Sequence, residues 1–436
     1  MEKSIIIVDS TIIKRSLCLK IPPKSAILSS MKYLKKDSAW EKELLARFID
    51  YAKTFSTSSS AAADKGIQPS TECQRDFANK IAAELKSLGF EGVQVTKHGY
   101  VYAYVPANPK GGAGISTSAG RSTKPFCLLS HLDTVEECSG KNVRPQIKKR
   151  GDDTIITSDG KTLLGGDDKA GLAAIVTALH YLLCNKKIAH PKIELCFSPD
   201  EETGHGMDNV PLGLIESKAA YTVDGSGLGE LEAECFNAYK SEVTFTGKAA
   251  HTGDARRAGM VNAISAASLF VQSLPRSQAP ETTDGYDGFF APLEISGSME
   301  SARVALLLRD FEAAGMAARK KLVGQLAKAA AASFGASVKV KHTQQYLNMR
   351  DGIKKAPLVL DRLVAACKDC GVEPVFKPIR GGTDGSRLTE MGIPCPNIWT
   401  GAHDYHSERE WVSLNEMLAA TDVIISLGEL YARISN

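Results

Sequence analysis

The stretch Phe197-Ser198-Pro199-Asp200-Glu201-Glu202-Thr203-Gly204-His205-Gly206 decides how the rest of this chain is interpreted. The apolar run at 193–197 predicts a strand, which Pro199 ends. In a continuing strand Glu201 and Glu202 would point to opposite faces of the sheet. Beyond the proline both carboxylates instead fit a loop at the carboxyl end of the strand, where ligands bind in open α/β sheets. One carboxylate is then suited to bind a metal and the other to act as a general base, whereas an isolated Asp-Glu-Glu is more often a solvated turn.

Length and composition indicate a globular chain of two domains. Its 436 residues exceed the usual size of one hydrophobic core. The apolar content of 43% and the charged content of 24% are typical of soluble proteins. With 53 basic and 50 acidic residues the formal charge is +3, which argues against nucleic acid as a partner. No apolar run reaches the ~18 residues expected of a membrane span, so no membrane association is predicted.

The cysteine content and the N-terminal segment bear on location. Ten cysteines in a chain of this length form no dense disulfide framework, and no secretory signal precedes them, so we expect a cytoplasmic protein. Residues 1–38 are basic and contain several serines, which indicates a disordered or surface-packed extension. A mitochondrial transit peptide is the alternative, although Glu2 and Asp9 count against it.

From Ala39 onward the pattern is that of an α/β protein with a central mixed sheet flanked by helices. Short apolar strands at 126–129, 193–197 and 219–223 each lead into a polar cluster, and a long apolar helix pattern begins near residue 166. Between strands, Gly111–Thr123 is rich in Gly and Ser and predicts an exposed loop. The α/β pattern returns with helices at 358–370 and 414–434 and a strand near 396–399.

Residues 238–348 have a different pattern and predict an inserted α+β domain. Strands near 242–246, 293–295, 303–308 and 337–341 alternate with helices at 260–274 and 315–334, in the order βαββαβ. We therefore predict three parts: an extension at 1–38, a first domain at 39–237 and 349–436, and a second domain inserted at 238–348.

Polar residues follow several of the predicted strands. His131 and Asp133, Asp224, and His406 lie just after strands, and Asp167 lies at the start of a helix. Each has an ordinary structural explanation, such as helix capping for Asp167. All nevertheless fall where a strand gives way to a loop or helix, and so line one edge of one sheet. Imidazole and carboxylate ligands suit a catalytic zinc site, and the number of carboxylates suits two metals.

The residues that carry this chemistry lie in longer stretches that resemble the M20 metallopeptidase family, and within it the branch of tripeptide aminopeptidases. The matching stretches run in order from about residue 42 to the C-terminus. They include SHLDT (130–134), TLLGGDDKAG (162–171), FSPDEETGHG (197–206), YTVDG (221–225), GKAAHTG (247–253), LLLRDFE (306–312), YLNMRD (346–351), PIRGGTDGS (378–386) and GIPCPNIWTGAHDYHSEREWV (392–412).

The resemblance implies a role for each residue of the site. His131 and Asp224 would bind one zinc ion, Glu202 and His406 a second, and Asp167 would bridge the two. Asp133 would orient the His131 ring. Glu201 would be the general base that accepts the proton of a water molecule bridging the two metals and delivers it to the leaving amine. Cobalt and manganese suit the same ligands.

Further residues are implied in substrate binding. His251 would stabilise the oxyanion and would reach the site from the partner subunit, which implies a homodimer. Arg309 and Arg380 would bind the C-terminal carboxylate of a short peptide, with an Arg309–Asp310 ion pair as the alternative. Asn348 is a candidate polar contact. His403 departs from the usual aromatic residue and is a competing ligand, and Asp200 is left exposed and without a role.

The resemblance thus implies a di-zinc aminopeptidase that removes the N-terminal residue from short peptides, most of all tripeptides. It also implies that the domain at 39–237 and 349–436 is the zinc-binding catalytic domain and that the insertion at 238–348 is a lid or dimerisation domain. Other M20 activities are the alternatives: a dipeptidase, a carboxypeptidase or an N-acyl amino acid amidohydrolase. A catalytically inactive homologue that binds peptides is a further alternative. Substrate side-chain preference is left open.

Overall fold

The structure is a computed structural model that describes residues 31–108 and 124–433. Residues 1–30 of the predicted extension and the Gly/Ser-rich loop at 111–123 lie outside these ranges. Within them, no helix combines the length and the apolar character needed to cross a membrane.

The helices and strands are numbered here in chain order. The helices are α1 (Ala39–Ala52), α2 (Ser60–Ala63), α3 (Glu72–Ser87), α4 (Gly166–Cys184), α5 (Ala255–Ala258), α6 (Ala263–Ser273), α7 (Ala313–Phe334), α8 (Arg350–Lys354), α9 (Pro357–Asp369), α10 (Asp384–Glu390) and α11 (Leu414–Arg433). The strands are β1 (Glu91–Val95), β2 (Val101–Val105), β3 (Phe126–His131), β4 (Gln146–Arg150), β5 (Asp153–Thr157), β6 (Ile193–Ser198), β7 (Ala220–Gly225), β8 (Glu230–Glu232), β9 (Asn237–Thr246), β10 (Phe289–Gly297), β11 (Ser301–Asp310), β12 (Ser337–Tyr346), β13 (Val375–Phe376), β14 (Asn397–Trp399), β15 (Ala402–His403) and β16 (Trp411–Ser413).

The largest sheet is mixed and has eight strands in the order β1-β2-β6-β3-β7-β14-β8-β13. Strand β3 runs parallel to both β6 and β7, whereas β1 and β2 pair antiparallel at one edge. Strands β3 and β6 are buried along their whole length, as their apolar runs predict. The prediction of a central mixed sheet flanked by helices is confirmed. Because β3, β6 and β7 are parallel, their carboxyl ends lie at one edge.

A second sheet, four antiparallel strands in the order β10-β11-β9-β12, is built from the inserted part of the chain. Helices α6 and α7 pack against it, and it has its own core around Phe245, Phe270, Leu306 and Val323. The order β9-α6-β10-β11-α7-β12 is the βαββαβ order that the sequence predicts.

A third sheet, β15-β16-β5-β4, was not predicted from the sequence. Its strands are only two to five residues long, and β16 pairs with β5 across more than 250 residues of chain. Such short pairings have no local periodicity to indicate them. This sheet holds the loop between β15 and β16, which contains His406, beside the edge where β3, β6 and β7 end.

Residues 31–38 are the described part of the extension predicted at 1–38, and they pack against the rest of the chain. Met31 and Leu34 are fully buried in the main core. The carboxylate of Asp422, on α11, accepts the backbone N–H groups of Lys32 (2.7 Å), Tyr33 (2.9 Å) and Leu34 (2.7 Å). This part of the chain is therefore packed against the C-terminal helix.

Replacing Asp422 by alanine is expected to lower the free energy of unfolding by about 2–3 kcal/mol, because it leaves backbone donors at a buried position without an acceptor. Urea denaturation followed by circular dichroism measures the change. Asp361→Ala, at an exposed position of α9, is the control. If the two variants unfold at the same urea concentration, the carboxylate of Asp422 does not hold residues 32–34.

Candidate metal centre

The carboxyl ends of β3, β6 and β7 bring the predicted ligands together. His131 is the last residue of β3, Asp224 is the last but one of β7, and Glu201 and Glu202 follow β6. Asp167 lies at the start of α4, where its backbone is not yet helical (φ −84°, ψ 103°). His406 reaches the same edge from the loop between β15 and β16.

Asp167 lies between the two histidines. Its Oδ1 is 2.9 Å from Nε2 of His131, and its Oδ2 is 3.2 Å from Nε2 of His406. Nε2 of His131 is also 3.5 Å from Oδ1 of Asp224, and Nε2 of His406 is 3.2 Å from Oε2 of Glu202. The five side chains thus form two histidine–carboxylate pairs with one shared carboxylate, which is the arrangement a bridging ligand requires.

Asp133 is fully buried, and it contacts both His131 and the turn that follows β6. Nδ1 of His131 lies 3.1 Å from the backbone carbonyl of Asp133 and 3.4 Å from its Oδ1, so a proton on Nδ1 has acceptors here and Nε2 would be the nitrogen that binds a metal. The Asp133 carboxylate also accepts the N–H groups of Glu201 (3.0 Å) and Glu202 (3.2 Å). One residue therefore orients the His131 ring through its backbone carbonyl and holds, through its carboxylate, the turn that carries both glutamates.

Burial of like charges dominates the electrostatics of this cluster. Burial, reinforced by Asp167, raises the pKa of Glu202 to about 8. Burial raises the pKa of Asp224 to about 7, although His131 opposes the shift, and raises that of Glu201 well above its usual range. Hydrogen bonds to Asp167 and Glu202 raise the pKa of His406 to about 11. Ionisation of these buried carboxyls is thus disfavoured, and a bound cation would offset that cost.

The donor set fits divalent metal ions. Ligand atoms of His131, Asp167 and Glu202 all lie within 4.8 Å of one another. Oε1 of Glu202 is buried and has no hydrogen-bond partner among the described residues, which is costly unless a cation binds it. Carboxylates outnumber histidines, so the net charge of the cluster would be balanced by bound cations. Imidazole and carboxylate ligands suit zinc, cobalt and manganese.

Asp200 corrects an expectation from the sequence. It is fully buried rather than exposed, and its carboxylate accepts the Ser70 N–H (2.9 Å) and the Gln74 side-chain amide (2.7 Å). Its own N–H donates to Oε1 of Gln74 at 3.0 Å. Asp200 therefore ties the turn after β6 to helix α3. These partners lie 126 and 130 residues away, and no local pattern reveals them.

His403 does not contact the metal cluster. Its Nε2 lies 2.8 Å from Oε2 of Glu416, and its ring stacks on Trp411 with 4.0 Å between centroids. The histidine thus keeps the stacking role of an aromatic residue. The structure gives it no place as a competing ligand.

The two candidate substrate arginines have different surroundings. Arg309 is largely buried, lies over the Tyr346 ring (5.4 Å to the centroid), and donates to the Leu308 carbonyl. Its alternative partner Asp310 instead pairs with Arg319 at 2.8 Å, so the expected Arg309–Asp310 ion pair is wrong.

Arg380 lies outside the insertion at 238–348, and its side chain binds to a loop within that insertion. Its guanidinium donates to the carbonyls of Gly285 (2.8 Å), Asp287 (3.0 Å) and Thr283 (3.3 Å), and to the Thr283 hydroxyl (3.0 Å). A substrate carboxylate would have to compete with these acceptors.

Asn348 is used by the backbone where the chain leaves the inserted sheet. Its Oδ1 accepts the N–H groups of Cys235 (3.1 Å) and Arg350 (3.0 Å), and its amide donates to the Phe311 carbonyl (3.1 Å). Its amide group therefore has three partners before any substrate binds. This favours a structural role at the connection.

His251 lies exposed on the inserted part. Within residues 31–108 and 124–433, its one side-chain hydrogen bond is accepted by Nδ1 from the Gly253 N–H (3.2 Å). A single chain thus does not bring His251 to the cluster around Asp167.

Asp384 is a buried carboxyl beside the site that the sequence analysis did not single out. The Ser198 hydroxyl donates to it, and burial raises its pKa to about 7. The added Cβ of a side chain at Gly206 would lie 2.2 Å from its Oδ1, so the glycine is required for this close approach. Its position in the stretch PIRGGTDGS was the one available signal.

Similarity to known proteins covers nearly the whole chain. The profile described as "Peptidase family M20/M25/M40" matches residues 127–429. The protein named peptidase T from Geobacillus thermodenitrificans is 38% identical over 419 residues, which are 90% of this chain and 98% of that protein. The crystal structure of the aminopeptidase PepT from Bacillus cereus has a TM-score of 0.72 at 23% identity, and covers 90% of this chain and 99% of that chain. A Bacillus subtilis structure described as a dinuclear metal-binding peptidase of the M20 family has a TM-score of 0.65 at 15% identity, and covers 90% and 98%.

Proposed function

Because this chain belongs to the M20/M25/M40 peptidase family, we propose that it is a two-metal aminopeptidase that removes the N-terminal residue from tripeptides. The observation that carries this proposal is the position of Asp167, with one oxygen toward each histidine. The peptidase T relatives support the substrate class. Two zinc ions per subunit are the proposed cofactors, with cobalt or manganese as substitutes.

The proposed chemistry assigns a distinct task to each side chain. His131, Asp224, Glu202 and His406 would hold the two ions, and Asp167 would be a ligand of both. Metal ions at these ligands supply Lewis-acid polarisation of the peptide carbonyl and lower the pKa of the attacking water. Glu201 accepts the proton of that water and gives it to the leaving amine.

Substrate length separates this function from the other activities of the family. We propose that Arg309 and Arg380 bind the substrate carboxylate, with Asn348 as a weaker candidate. Incubation with Ala-Ala, Ala-Ala-Ala, Ala-Ala-Ala-Ala and N-acetyl-Ala-Ala-Ala should give rapid cleavage of the free tripeptide alone. Rapid cleavage of Ala-Ala would indicate a dipeptidase, and cleavage of the blocked peptide a carboxypeptidase or an amidohydrolase.

Metal content tests the alternative of an inactive homologue that binds peptides. The purified chain is expected to contain two zinc ions, measured by atomic emission after dialysis. Less than about one ion per chain would favour the inactive homologue. A cytoplasmic location is proposed from the free cysteines of the described ranges, and the N-terminal sequence of the mature protein distinguishes it from mitochondrial import.

We also propose a homodimer in which His251 completes the site of the partner subunit. His251→Ala alone is expected to lower kcat by about 100-fold, because an oxyanion donor is lost. Mixing His251→Ala with inactive Glu201→Gln under conditions that exchange subunits should restore activity, since each mixed dimer contains one intact site. Mixing Glu201→Gln with Asp167→Ala is the control, because both sites of that dimer are damaged. Equal activity in the two mixtures would contradict the exchange of His251.

A further inference from the structure

The segment that leads into α4 has three backbone N–H groups with one acceptor in common. Oε2 of Glu410 accepts the N–H groups of Leu164 (3.0 Å) and Gly165 (2.7 Å), and Oε1 accepts the N–H of Asp167 (2.9 Å). Donors before the first helical turn have no partner within a helix. Glu410 satisfies them from 243 to 246 residues away, and it is 1% exposed.

The contact between Glu410 and this segment is close. A Cβ added at Gly166 would lie 3.0 Å from Oε1 of Glu410 and 2.7 Å from Cγ2 of Val412. Gly165 adopts a left-handed conformation (φ 81°) directly before it. The two glycines allow the backbone to approach the carboxylate, and any larger residue would push Asp167 away from it.

Glu410 also lies on the loop that contains His406. The ring of His406 faces Oδ2 of Asp167, while Glu410, four residues later, accepts the N–H of the same aspartate. The loop between β15 and β16 therefore contacts Asp167 at both its side chain and its backbone. Two contacts from this loop, one through His406 and one through Glu410, therefore determine the position of the Asp167 carboxylate.

We propose that Glu410 is a positioning residue that sets the bridging carboxylate of Asp167 between the two metal ions. It contacts neither the ligand atoms nor a substrate. It acts by fixing the backbone from which Asp167 projects, so that each oxygen faces one histidine. This inference rests on the proposed two-metal function.

The test is the zinc affinity of Glu410→Gln, measured by competition with a chromophoric chelator on the full chain. Glutamine keeps the size of the side chain but places an amide donor against a backbone N–H. The zinc dissociation constant is expected to rise by about 10- to 100-fold, as for other partners that orient metal ligands. Excess zinc should restore most of the tripeptidase activity, with KM little changed. Glu408→Gln, exposed on the same loop, is the matched control.

Glu410→Asp serves as a second variant if Glu410→Gln fails to fold, as judged by circular dichroism. It keeps the charge but shortens the side chain, and should weaken zinc binding less than glutamine does. If each variant that folds binds zinc within about twofold of the Glu408→Gln control, the positioning role is wrong while the proposed function stands. If the unaltered chain itself binds no zinc, the proposed function fails, and this inference fails with it.

Discussion

Glu201→Gln is expected to keep both metal ions and to lower kcat by at least ~100-fold, the factor typical of a lost general base. The substitution preserves the size of the side chain and the N–H that donates to Asp133. A neutral amide cannot accept the proton of the attacking water, so turnover is lost while the ligands stay in place. Zinc analysis together with kcat for Ala-Ala-Ala measures both parts.

Asp208→Asn is the control for this change, since Asp208 lies on the same turn but is exposed. It should leave kcat within about twofold of the unaltered enzyme, in line with a substitution away from the chemistry. Normal turnover by Glu201→Gln would show that another group carries the proton. Loss of metal in that variant would instead show that Glu201 is a ligand.

Asp167→Ala is expected to have the other large effect. Its two oxygens each face one histidine, so its removal takes a ligand from both halves of the cluster. Metal ions contribute several kcal/mol to the stabilisation of the transition state, so kcat/KM should fall by about a thousandfold or more. Zinc content should fall from two ions per chain to one or fewer.

Added zinc distinguishes weakened binding from a lost bridge. Because alanine offers no ligand atom, millimolar zinc should not restore activity to Asp167→Ala, in contrast to Glu410→Gln. A variant that retains both ions and a tenth of the activity would contradict the bridging role of Asp167.

The sequence predicted the parts of the fold that depend on local pattern. The apolar runs at β3, β6 and β7 predict buried parallel strands, and the polar residues at their ends predict one edge, where the structure brings His131, Asp167 and Asp224 together. The resemblance to a family supplied the pairing of His406 with Glu202.

The sequence could not predict contacts between distant segments. Asp200 was expected to be exposed. It is buried because its carboxylate accepts hydrogen bonds from Ser70 and Gln74, which are distant in the chain and so are not indicated by the local sequence. Arg380 donates to backbone carbonyls 93 to 97 residues away. Because every residue has a backbone carbonyl, no residue type in the sequence indicates such an acceptor. The packing of residues 31–38 depends in the same way on Asp422, which lies about 390 residues away on α11.

The two N–H groups that Asp133 accepts have a consequence for selectivity. Both hydrogen bonds hold the backbone of Glu201 and Glu202 in one position. The distance between the proposed base, Glu201, and the ion that Glu202 would bind is therefore expected to be the same for every peptide substrate. Under the proposed roles, discrimination between peptides would then arise from the substrate-binding residues, such as Arg309 on β11 of the inserted sheet. We therefore expect Glu201→Gln to lose the same factor in kcat on Ala-Ala-Ala and on a bulkier tripeptide, while Arg309→Ala changes the ratio of their KM values.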